Sequence, residues 1–153
     1  MERKERREIG TLIAVDQAEI RRKLIEAFID AEIPAPKEAH DEAGLRQVLA
    51  TADLDLIVMS SHLGGAYVAP LIAEVRRGRL GPHPFPIVVV LADNGDAAHL
   101  REIGNCGPDD VIAPPCAPND LLERINVFLS GDRRPLVVNA GYAGPERRLK
   151  SRE

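Results

Sequence analysis

The segment that most constrains the fold is Pro86-Ile87-Val88-Val89-Val90-Leu91. Four consecutive β-branched residues follow a proline. A strand with one wet face would alternate apolar and polar residues. A continuous run of this kind fits a strand covered on both faces, as at the centre of a parallel sheet. Such a sheet needs helices on both sides and crossover connections between its strands. The rest of the chain supplies them. Thr11–Val15 and Leu54–Met59 are further apolar runs, Asp110–Ala113 is a short last one, and a weak strand is expected near 35–39. Between the runs, apolar residues recur at helical spacing. The stripes are Ile20, Leu24, Ala27, Phe28 and Ala31; Leu45, Val48 and Leu49 within 42–50; Val68, Leu71, Ile72 and Val75; and Leu121, Leu122, Ile125, Phe128 and Leu129. The loop Asp93–Asp96 is placed to cap a short helix ending near Asn105. Pro70 and Pro118 fit first helical turns, where no backbone N–H is needed. Strand and helix therefore alternate five times. The predicted fold is α/β, a five-stranded parallel sheet, doubly wound, in a single domain.

Length and charge narrow the function classes. At 153 residues and 44% hydrophobic content the chain can bury one full core. Aromatics are 3% and Trp is absent, so that core must be aliphatic. No apolar run reaches the roughly 18–20 residues of a membrane span, and the charged start lacks a signal-peptide pattern. A cytoplasmic protein without membrane contact is expected. Cys106 and Cys116 form no CxxC pattern and read as ordinary reduced thiols. His40, His62, His83 and His99 make no ligand pair at helical spacing, so neither a metal nor a cofactor is expected. The net charge of −4 is uneven: residues 1–10 carry +1 and residues 132–153 carry +3, leaving −8 on residues 11–131. An acidic body argues against a nucleic-acid partner, because phosphate contacts need a basic face. The organisation read from this is a charged N-terminal extension (1–10), a domain (11–131) and a basic C-terminal tail (132–153). Both ends are expected to be solvated, flexible chain.

Ligands of doubly wound folds bind beyond the carboxyl ends of the strands. Those ends are Asp16-Gln17, Ser60-Ser61-His62, Leu91-Ala92 and Ala113-Pro114. The segments around them resemble the receiver domain of bacterial response regulators, a flavodoxin-like fold. Val15-Asp16-Gln17 is similar to the acidic pair that ends the family's first strand. Asp55-Leu56-Ile57-Val58-Met59-Ser60 is similar to its "DLILMD". Pro86–Ala92 is similar to "PIIxLTA", and Gly107–Cys116 to "GADDYLxKPF". The resemblance spans residues 11–130. The tail segments Arg134–Val138 and Tyr142–Arg148 also resemble the extension of certain stand-alone receivers, which implies that no output domain follows.

The resemblance implies a fold without its chemistry. A receiver accepts a phosphoryl group on an aspartate, with a divalent cation and a lysine to neutralise the oxygens. Here Ser60 stands at the acceptor position, and Gln17 replaces one metal-binding acid. Leu91 replaces the hydroxyl residue, Pro114 replaces the lysine, and Val111 occupies the aromatic switch position. Of these positions only Asp16 keeps the family's residue. Neighbouring Ser61 and His62 restore no acid. Ser60 and His62 also raise a nucleophile–base reading, but no third orienting group is evident. Asp109-Asp110 is read as a solvated turn rather than a metal pair. The family's Lys-Pro bond is typically cis, so a cis Pro114–Pro115 bond is expected.

The function expected is a phosphorylation-independent pseudo-receiver, not an enzyme. It would be a protein-binding adaptor in bacterial two-component signalling, using its last strand and helix. Its partner would be a signalling protein (a histidine kinase, a phosphotransferase or another regulator), and a homodimer is a further option. The alternatives are a small-molecule sensor that reuses the relict pocket of Asp16, Gln17, Ser60, Leu91 and Pro114, and an atypical receiver phosphorylated at another residue.

Overall fold

The computed structural model describes Glu5 and residues 8–147. Five strands form one parallel sheet: β1 (Thr11–Ala14), β2 (Lys37–Glu38), β3 (Leu56–Ser60), and, after a two-stranded excursion, β6 (Ile87–Leu91) and β7 (Asp110–Ile112). Their order is β2-β1-β3-β6-β7. This is the doubly wound, flavodoxin-like sheet expected from the sequence. The strand around Ile87–Leu91 pairs on both edges, with Ser60 opposite Leu91 and Leu91 opposite Ile112.

Strand periodicity divides the core into two layers. Leu12, Ile57, Met59, Val88 and Val90 face one side. There they meet Leu45 and Leu49 of α2 (Glu42–Thr51), Ile72 and Val75 of α3 (Pro70–Arg76), and Ile103 of α4 (Ala97–Gly104). Ile13, Val15, Val58, Val89 and Leu91 face the other. They pack on Leu24 and Phe28 of α1 (Ala18–Asp30) and on Leu121 and Ile125 of α5 (Pro118–Leu129). All five residues of β3 are buried, as a strand covered on both faces requires. Asp41 caps α2 by accepting from Gly44 N at 2.8 Å, and Asp96 caps α4 by accepting from His99 N at 3.2 Å.

Two hairpins were not read from the sequence. The first follows the acceptor position: β4 (His62–Leu63) and β5 (Ala66–Tyr67) turn through Gly64 and Gly65, both at positive φ. The second, β8 (Leu136–Asn139) and β9 (Tyr142–Pro145), corrects the expectation of a flexible tail. Residues 132–147 fold back on the domain; Ala143 is buried, and the Gly144 backbone approaches that of Gly107. Ile9 is likewise buried, and Gly10 N donates to Asp55 Oδ2 at 2.8 Å, so the end of the 1–10 extension belongs to the fold. The remainder of both terminal segments lies outside the described residues.

An ion cluster anchors the chain that leads into the hairpin. Asp109, expected in a solvated turn, is instead almost fully buried between Arg76 and Arg133. Burying that carboxylate is tolerable because two guanidiniums and the Val88 N–H share it.

Gly107 is the second anchor. Its φ is +103°, and a Cβ there would meet the Ala143 carbonyl oxygen. Gly107→Ala should therefore cost about 1–3 kcal/mol for the left-handed backbone alone and loosen β8–β9. Limited proteolysis should show faster cleavage within residues 132–147 while the five-stranded sheet stays protected.

Candidate functional site

The carboxyl ends of β1 and β3 bring Asp16, Gln17 and Ser60 together. Parallel pairing sets Ala14 opposite Met59, so the residues that follow each strand emerge side by side. Ser60 is buried, and its hydroxyl is fully engaged. Its Oγ accepts from Asp16 N at 3.1 Å and donates to Gln17 Oε1 at 3.2 Å. Asp16 and Gln17 are exposed above it, and Asp16 Oδ1 accepts from Gly64 N at 3.3 Å.

The other positions inferred from the resemblance are apolar. Leu91, paired opposite Ser60 across the sheet, is 2% exposed and packs in the core layer with Val15 and Val58. Pro114 is exposed and can supply neither a charge nor a backbone donor. The Pro114–Pro115 bond is cis, as expected. Val111 is half-buried and packs against the core layer under α2, α3 and α4. The pocket thus holds one carboxylate, one amide and one hydroxyl. Magnesium usually retains several waters and relies on one or two carboxylates together with phosphate oxygens. The single carboxylate of Asp16 gives it little purchase.

Ser60 and His62 do not pair, since Ser60 turns to Gln17. The neighbour Ser61 lies within reach of His62, its Oγ 3.5 Å from Nδ1. Ser61 is wholly buried and is locked to Asp93 in both directions. Its Oγ donates to Asp93 Oδ1 at 3.0 Å and accepts from Asp93 N at 3.1 Å. Asp93 Oδ1 also faces His99 Nε2 at 2.7 Å and His62 Nδ1 at 3.3 Å. Desolvation pushes the Asp93 carboxyl up, but the hydrogen bonds from Ser61 and His99 outweigh it and hold the group below its ordinary range. The Tyr67 ring stacks obliquely on both imidazoles, 4.9 Å from His62 and 6.0 Å from His99. Burial pushes its phenol up to about 12.

Sequence spacing concealed this cluster, because His62 and His99 lie far apart in the chain. The usable signals were Gly64-Gly65, a hairpin turn that aims His62, and Asp96, a cap that starts the helix bearing His99. The thiols behave as expected: both are free, and burial raises Cys106 to about 11 and Cys116 above its ordinary value, so neither is an activated thiolate. An apolar groove lined by Ile9, Phe85, Phe128 and Leu136 lies at the opposite, amino end of the strands. Among the described residues no helix is long and apolar enough to cross a membrane.

No family model and no curated protein matches the sequence. Solved structures do match. The receiver domain of Francisella response regulator 1452 is 20% identical, with a TM-score of 0.67, over 80% of this chain and 97% of that one. An orphan response regulator of H. pylori is 16% identical, with a TM-score of 0.64, over 82% and 99%. The signal receiver domain of a signal transduction histidine kinase from Syntrophus aciditrophicus is 19% identical, with a TM-score of 0.66, over 87% and 98%. Together with the strand order, these likenesses give this chain the fold of the response-regulator receiver (CheY-like) domains.

Proposed function

We propose that the chain is a phosphorylation-independent pseudo-receiver, a protein-binding regulatory module of bacterial two-component signalling and not an enzyme. The observation that carries this reading is Ser60. At the carboxyl end of the central strand, where a receiver needs a carboxylate nucleophile, a hydroxyl is spent on Asp16 N and Gln17 Oε1. No base contacts it, and neither Leu91 nor Pro114 can neutralise a phosphoryl oxygen.

A receiver exchanges between conformations, and the phosphoryl bond tips the balance. Without that bond the population is set by the sequence or by a partner. The partner surface is the face of β7 and α5, where Val127 stands 49% exposed. A histidine kinase, a phosphotransferase, another regulator or a second copy of this chain would dock there. No nucleic-acid role is proposed.

Incubation of the full chain with acetyl phosphate and magnesium, followed by intact mass, tests the reading. The expected spectrum is unchanged. A stoichiometric phosphoryl adduct on any residue would overturn the proposal and favour an atypical acceptor.

A further inference from the structure

We infer that His62, Asp93 and His99 form a binding site for one first-row divalent metal ion of the zinc type, separate from the Asp16–Gln17–Ser60 pocket. The three residues come from three different segments: the hairpin strand β4, the loop after β6, and helix α4. Each offers one donor atom, and the three donors lie within 4.8 Å of one another. Around a tetrahedral zinc ion with bonds near 2.0–2.1 Å, donor atoms sit about 3.3 Å apart. His62 Nδ1 already stands 3.3 Å from Asp93 Oδ1, and His99 Nε2 stands 2.7 Å from the same oxygen. Small side-chain rotations would open this triangle around an ion.

The donor chemistry selects the ion. Two imidazoles and one carboxylate suit zinc, cobalt or nickel, whereas magnesium and calcium prefer oxygen ligands. Three protein ligands leave a fourth position for water or for an incoming donor. The support around the site is built as metal ligands require. Asp93 is oriented by Ser61, which is 0% exposed and bonds it through both Oγ contacts. His62 is set by its pairing opposite Tyr67 across the hairpin, and the Tyr67 ring backs both imidazoles. The His62 and Asp93 side chains are 38% and 46% exposed, so an ion can enter from solvent.

Bound metal would clamp the β4–β5 hairpin to the start of α4. In the free chain His99 hydrogen-bonds Asp93 Oδ1, and His62 of the hairpin stands 3.3 Å from the same oxygen. The inference does not depend on the fate of Ser60: the site uses no residue of the relict pocket, and it holds whether or not the chain accepts a phosphoryl group.

Titration of the full, chelator-stripped chain with zinc chloride in a calorimeter tests it, with cobalt chloride as a spectroscopic probe. One equivalent should bind, and cobalt should give the intense visible absorption of a four-coordinate site. Loss of even an outer partner of a metal ligand costs about 10–100-fold in affinity. His99→Ala and Asp93→Asn should therefore weaken zinc by at least about 100-fold. His62→Gln, at a side chain 38% exposed, should do the same without disturbing the core and keeps the test valid if the other variants unfold. His40→Ala, His83→Ala and the Cys106→Ser/Cys116→Ser double variant should bind as the parent does. Absence of binding at millimolar zinc would overturn the site and leave a plain polar contact between the imidazoles and Asp93. Undiminished binding in His62→Gln/His99→Ala, or displacement of zinc by equimolar magnesium, would overturn it too.

Discussion

Asp109→Ala should lose about 3–5 kcal/mol of folding free energy, measured as a shift of the urea midpoint at unchanged slope. The side chain removed is small, so its packing area decides little. What decides is the charge left behind. The Arg76 side chain is fully buried, and that of Arg133 is 12% exposed. Arg76 donates to Gly107 O at 2.8 Å, to Pro84 O at 3.1 Å and to Pro86 O at 2.7 Å, and Arg133 donates to Phe85 O at 3.0 Å and Pro86 O at 3.1 Å. These carbonyls satisfy the N–H groups but carry no compensating charge. Burial already pulls Arg76 down to about 10, and the Asp109 carboxylate is the main opposing influence. Without it, two guanidiniums would face each other with no carboxylate between them, one of them fully buried.

Against a total stability of about 5–15 kcal/mol, this loss removes about a fifth or more. Arg133→Ala should cost less. It leaves Asp109 paired with Arg76 at 3.0 Å, and its effect should fall mainly on residues 132–147. Asp109→Asn should lie between the two, because an amide can still accept from Val88 N and from one arginine. An Asp109→Ala loss no larger than that of Arg133→Ala would show that the cluster is not what joins the hairpin to the domain.

The same cluster explains where the sequence was legible and where it was not. The sheet could be read because its signal is local. Ile87–Leu91 and Leu56–Met59 are short continuous apolar runs, and their length and the β-branched residues of the first favour a strand covered on both faces. The positions of Asp16, Gln17, Ser60 and Leu91 followed from register, since the ends of parallel strands lie together. Asp109 was misread because its burial depends on Arg76 and Arg133, which are distant in sequence. An Asp-Asp pair beside Gly107 carries no local mark of that. His62 and His99 were missed for the same reason: their meeting is produced by a two-residue hairpin and a helix cap, each short enough to pass for loop. In residues 136–145 the apolar run Leu136-Val137-Val138 is only three residues long before Asn139-Ala140-Gly141, so it carries too little pattern to mark a strand.

Restoring the missing acids separates cation binding from the rest of the pocket. Gln17→Asp/Ser60→Asp places carboxylates at two positions that already touch, 3.2 Å apart, beside Asp16. Position 60 is only 4% exposed, so the new charge is largely desolvated as well as repelled. Without metal the double variant should fold about 2–4 kcal/mol less stably than the parent at neutral pH, equivalent to a carboxyl pKa raised by roughly two to three units. The sign follows from that elevation. An acid whose folded-state pKa is raised binds protons more tightly when folded, so the deficit is fully present only above that raised pKa, shrinks as pH falls through it, and vanishes below the ordinary carboxylate range. Magnesium should reverse the deficit in the variant, by about 2.7 kcal/mol at a hundredfold excess over its dissociation constant. It should leave the parent's thermal midpoint unmoved, because one exposed carboxylate and two neutral groups hold it too weakly. Phosphoryl uptake from acetyl phosphate should nevertheless stay slow in the variant. The nucleophile and cation would be present, but hydrocarbon at Leu91 and a donorless ring at Pro114 would still meet the transferring oxygens. Rapid phosphorylation of the double variant would show that two substitutions alone silence this pocket, and that Leu91 and Pro114 are incidental to it.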